Sequence, residues 1–102
     1  MKAAFKMKLK PGFAAEYKKR HDEIWPEISA LLKDQGISDY TIFLDEETDT
    51  LFAVQQLSGQ GSQELGQQEI VQQWWAYMAD IMETNADHSP VSVALKEVFH
   101  MD

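Results

Sequence analysis

The chain has 102 residues, a formal net charge of −8 and no cysteine. That length fits one domain, read here as 1–102, with a core modest enough that a partner subunit would help to complete it. The acidic balance excludes nucleic acid and anionic membranes, which need a basic footprint against phosphates, while the missing thiols exclude disulfides and thiolate catalysis and favour an intracellular setting. Arg20 is the single arginine, which also counts against phosphorylated substrates; a small ligand is expected to be neutral. The N-terminal MKAAFKMKLKPG alternates instead of forming a continuous apolar run, and no stretch approaches the length of a membrane span. A soluble, cytoplasmic protein is expected.

Phe5, Met7 and Leu9 alternate with Lys6, Lys8 and Lys10, the period of a half-buried strand, so residues 2–9 are predicted as a first strand ended by Pro11-Gly12. From 13 to 35 the positions Tyr17, Ile24, Trp25, Ile28, Leu31 and Leu32 recur at helical spacing, with Gly36 just past the end. Pro26 cannot donate to the carbonyl of Asp22 and its ring crowds that carbonyl, so this helix should kink or restart between His21 and Glu27.

Tyr40, Ile42 and Leu44 alternate with Asp39, Thr41 and Phe43; the acidic turn DEETD and then Leu51-Phe52-Ala53-Val54 complete a β-hairpin. The turn lacks the glycine and the distant glutamate of a calcium loop. SGQGSQELGQQ reads as a linker or a short, weak helix. Val71, Trp74, Trp75, Met78, Ile81 and Met82 mark a second amphipathic helix, NADHSP a loop, and residues 95–101 a closing strand. The order βαββαβ is that of a ferredoxin-like α+β fold, an antiparallel sheet with both helices on one face.

Stepping by four from Tyr17 gives His21 and then Trp25, so an imidazole lies on the stripe that should face the sheet. A lone helical histidine is more often a hydrogen-bonded core residue; in a pocket, its ordinary pKa near neutrality suits general acid/base work. Trp74 and Trp75 point roughly 100° apart around a helix and straddle its buried face, as core filling or as an aromatic wall on which the apolar face of a pyranose can stack. Tyr17 and Tyr40 each need a partner for a half-buried hydroxyl, and His88 and His100 are weaker candidates. No His and carboxylate pair has metal spacing, and there is no phosphate-cradling loop or nucleophile elbow, so any chemistry is expected to be cofactor-free. A cofactor-free oxygenase and a binding module with a structural His21 both fit these residues.

With RHDEIWPEI, the hairpin tyrosine in DYTIFLD, QQWWAYMADIM, and SPVS before EVF, the chain resembles the L-rhamnose mutarotases over nearly its whole length. The resemblance implies a ferredoxin-like fold of the dimeric α/β barrel type, a homodimer, and cofactor-free interconversion of the α and β anomers of L-rhamnose. It implies that His21 is the proton donor and that Tyr17, Tyr40, Trp74 and Trp75 contact the sugar. The chain departs from the family pattern in a shortened Gly/Gln-rich stretch before the second helix and in His88, both at the expected pocket rim.

Overall fold

Alternation in the first segment becomes β1 (Lys2–Lys8), with Phe5 and Met7 buried and Lys6 exposed. In the computed structural model, which describes residues 1–102, β1 pairs on one side with β3 (Thr50–Leu57) and on the other with β4 (Ser92–Leu95). The sheet is completed by β2 (Ile37–Asp45) beside β3, giving the order β2-β3-β1-β4 with every pairing antiparallel. This is the ferredoxin-like α+β arrangement expected from the element order.

Pro26 breaks the first helix completely. α1 (Ala14–Asp22) ends before it, and α2 (Pro26–Asp34) starts with the proline as its first residue, where a missing N–H costs nothing. Gly36 then turns the chain into β2 at φ +81, where a Cβ would stand 2.0 Å from the Ser58 hydroxyl oxygen. The linker holds one 3-10 turn, Ser62–Glu64, and its Gly66 carbonyl accepts from the Gln72 amide at 2.7 Å.

α3 (Glu69–Met78) is shorter than the apolar pattern up to Met82 suggests. The end of β1 takes the next residues instead: the Lys10 N–H donates to Ile81 O at 2.9 Å, the Glu83 N–H donates to Lys8 O at 3.0 Å, and Leu9 forms a bridge with Met82. Ile81 and Met82 remain buried, Ile81 in the turn that follows the helix and Met82 in the bridge to Leu9.

The core lies on one face of the sheet. Phe5, Met7, Leu51 and Ala53 point into it and meet Tyr17, Ile28, Val71, Trp74, Trp75 and Met78 from the helices. On the opposite face Phe43 pairs with Phe52, Phe52 with Lys6 and Lys6 with Val93, and Phe43 is 63% exposed. The closing strand differs from expectation: it spans Ser92–Leu95, and the remaining residues to 102 carry no regular structure. Leu95 pairs with Ala4, which leaves β1 only Lys2 and Ala3 to pair with, and Val98, Phe99 and Met101 are largely exposed.

Candidate active site

Tyr40 reaches the helix side of the sheet through an irregularity in β2. Ile37 and Tyr40 both turn inward although they are three apart, which strict alternation forbids. The register shifts between Ser38 and Thr41, and Asp39 absorbs the extra residue at φ +47.

Tyr17 and His21 stand one turn apart on α1, their rings stacked with centroids 4.3 Å apart. His21 Nδ1 lies 3.1 Å from the Tyr17 carbonyl oxygen. A carbonyl only accepts, so Nδ1 carries the hydrogen, and in the neutral ring Nε2 keeps its lone pair. Burial holds the His21 imidazole below the ordinary 6.5, against smaller upward pulls from the Tyr17 carbonyl and Asp22. Burial likewise raises the phenols of Tyr17 and Tyr40, and at Tyr40 hydrogen bonds with Ser62 and Gln55 offset part of the rise.

His21 meets Trp74 edge-on at 5.5 Å, Trp74 meets Trp25 edge-on at 5.1 Å, and Trp25 stacks on Tyr77 at 5.5 Å. Arg20 closes this aromatic series. Its guanidinium lies 4.5 Å from the Tyr77 ring centre, donates to the Tyr77 carbonyl at 2.8 Å, and forks onto Asp80 at 2.8 and 3.2 Å. Its Nε also donates to Glu16 at 2.8 Å. The residue beside the histidine thus ties α1 to the last turn of α3, where a cation also satisfies an orphan carbonyl and the negative end of the helix dipole.

Tyr17, His21, Tyr40, Trp74 and Trp75, the residues singled out in the sequence, all line one cavity of about 1050 Å³ between α1, α2, α3 and β2. Its volume is at the top of the range for small-molecule sites. The two indoles play different parts: Trp74 joins the aromatic series, while Trp75 packs on Gly66 so closely that a Cβ there would stand 2.9 Å from its Cζ3. His88 and His100 lie elsewhere, the first in a loop at φ +71 and the second on the exposed tail bonded to Asp102. No three His, Asp or Glu side chains come together in metal-holding geometry.

Sequence reasoning passed over Gln55 and Ser62, which lie behind Tyr40, and did not connect Arg20, Trp25 and Tyr77. Gln55 was detectable in principle. It falls in phase with Leu51 and Ala53 on the inward side of β3, where a polar side chain needs a partner.

Fold and cavity together define a small ferredoxin-like α+β protein carrying one imidazole in an aromatic cavity. A family model described as L-rhamnose mutarotase matches residues 2–101. The chain is 65% identical over 100 residues to the L-rhamnose mutarotase of Bacteroides thetaiotaomicron, covering 97% of this chain and 96% of that one. It is 60% identical over 101 residues to that of Mesorhizobium japonicum, covering 98% and 96%. The crystal structure of an L-rhamnose mutarotase from Formosa agariphila superposes with a TM-score of 0.94 at 56% identity, over 100% of this chain and 99% of that one. The chain belongs to the L-rhamnose mutarotase family.

Proposed function

We propose that this protein is a carbohydrate isomerase that interconverts the α and β anomers of L-rhamnopyranose, with His21 as its acid/base group. The observation that carries the reading is the His21 ring itself: Nδ1 is committed to the Tyr17 carbonyl, so Nε2 is the nitrogen left for a ligand in an aromatic-walled cavity. Mutarotation needs a proton removed from the anomeric hydroxyl while the ring oxygen gains one. The ring C–O bond then opens to the aldehyde, C1 turns, and the ring closes on its other face. An imidazole kept neutral by burial accepts the first proton and returns it on closure.

Trp74 and Trp75 supply flat apolar surface for the C–H face and methyl group of a 6-deoxy sugar, and Tyr17 and Tyr40 supply hydroxyls for its polar edge. A neutral ligand agrees with an acidic chain whose one arginine is already bonded to Glu16 and Asp80.

The working unit is a homodimer in the cytoplasm. Phe43, Phe52, Val93 and Leu95 on the open face of the sheet, and Val98, Phe99 and Met101 of the tail, are large apolar side chains left exposed, which a partner surface would cover. A second copy is the economical cover, because antiparallel sheets bury one face in their own helices and leave the other available.

The test is saturation-transfer NMR between the two anomeric protons of L-rhamnose, with and without the protein. Faster exchange with protein supports the reading, and an unchanged rate with bound sugar makes the protein a binding module.

A further inference from the structure

We propose that Gln55 and Ser62 are positioning residues that fix the Tyr40 hydroxyl as the proton donor to the ring oxygen of the sugar, an inference that rests on the mutarotase reading above. Gln55 is 1% exposed at an inward position of β3, and no buried side-chain polar atom is left without a partner, so both ends of its amide are bonded. The Ser62 backbone N–H donates to Gln55 Oε1 at 3.3 Å. A backbone N–H can only donate, which fixes the amide the other way round: Nε2 donates to Ser62 Oγ. Gln63 Nε2 reaches the same oxygen at 3.5 Å.

Ser62 Oγ therefore accepts from two amides, and its single hydrogen is directed to the Tyr40 hydroxyl oxygen at 3.5 Å. The chain of donors runs Gln55 to Ser62 to Tyr40, and the phenolic hydrogen is the one left to point into the cavity. The β2 irregularity at Asp39 serves the same end by turning Tyr40 inward.

The chemistry balances without a co-reactant. His21 Nε2 takes the hydrogen of the anomeric O–H, the electron pair of that bond forms the C1=O bond, the bond from C1 to the ring oxygen breaks, and the ring oxygen takes the Tyr40 hydrogen. Tyr40 is then a phenolate accepting from Ser62, and the departing alkoxide, the stronger base, has been neutralised. Closure on either face reverses both transfers. Burial raises the Tyr40 phenol above its ordinary value, and the bonds with Ser62 and Gln55 offset part of that rise.

The experiment compares Ser62→Ala, Tyr40→Phe and the double variant by anomeric exchange of L-rhamnose over a range of concentrations, with folding followed by thermal melting. Ser62→Ala is expected to lower kcat about tenfold while KM changes less than about threefold. In the Tyr40→Phe background the same change should alter kcat less than about twofold, because a residue that acts through Tyr40 has nothing left to act on. Ser62→Thr, which keeps the hydroxyl, should recover most of the rate. Parental kcat in Ser62→Ala, or the same loss in both backgrounds, overturns the proposal. If Ser62→Ala melts early, Ser62→Cys keeps the shape with a weaker donor, and a loss that multiplies with Tyr40→Phe is equally fatal. A parent protein that fails to speed exchange sinks the activity and the relay together, whereas an active parent with multiplicative variants sinks the relay alone.

Discussion

The two faces of the sheet use apolar residues for opposite ends. Under the helices, Phe5, Met7, Leu51 and Ala53 are at most 8% exposed, yet the layer above them stops short of closing and leaves a cavity beside His21. On the other face Phe43, Phe52, Lys6 and Val93 form a row across the sheet, and its three apolar members stay between 36% and 63% exposed. The covered face leaves a cavity within its packing; the open face leaves its apolar side chains exposed. Burial alone therefore does not locate function in this fold, because the incompletely filled layer and the uncovered one both point outward from the chain.

The largest expected break lies on the covered face. His21→Gln should slow anomeric exchange by roughly 10²–10⁴-fold, the usual worth of a general acid/base group, and leave the melting temperature within a few degrees of the parent. A variant that folds normally and exchanges at the parental rate would make the imidazole structural.

On the open face, Phe43→Lys with Phe52→Lys should raise the dimer dissociation constant on the order of 10²-fold or more, since a two-fold interface counts each lost phenylalanine twice. Sedimentation across a concentration series reads this, and a parent that stays monomeric at micromolar concentration ends the dimer reading.

A third change touches neither face. Gly36→Ala forces a side chain into the left-handed region and against Ser58, and should cost about 1–3 kcal/mol in thermal or urea unfolding while leaving KM unchanged.

The smallest effect is in pH. An unperturbed imidazole gains its proton as pH falls through 6.5, whereas His21 sits lower because it is buried. Its lone pair thus survives into more acid solution. The kcat/KM profile should be flat from neutrality down past 6.5 and fall only as pH drops through the lowered value. An acid limb centred at or above 6.5 would contradict a buried base.

Much of this was readable along the chain. Phe5-x-Met7-x-Leu9, the hairpin alternation and the Val71-to-Met78 stripe each repeat with the period of the element they form, and Pro26 marks its own break. Local signals failed where partners are remote. α3 stops at Met78 because Lys8 and Lys10, some seventy residues earlier, take the backbone bonds of Ile81 and Glu83. The tail beyond Leu95 has strand character but finds only Lys2 and Ala3 of β1 left to pair with, and residues 96–102 carry no regular structure. The site divides in the same way. Tyr17, His21 and the tryptophan pair share helix faces that spacing reveals, whereas the grip of Arg20 on Asp80 and the link from Gln55 to Tyr40 exist only once the chain has folded.

The extra residue in β2 gives the strand two phases. Beyond Asp39 toward the hairpin, the even-numbered positions face the helices; before it, the odd-numbered ones do. Deleting one residue between Ser38 and Thr41 would merge the phases and force a choice: either Ile37 leaves the core or Tyr40, Ile42 and Leu44 turn to the solvent side. Ile37 is one side chain and the others are three, so the strand would keep the three and sacrifice the start of β2, where α2 hands over at Gly36. A change of length is therefore not tolerable in these few residues, where a count of one decides which way the phenol faces.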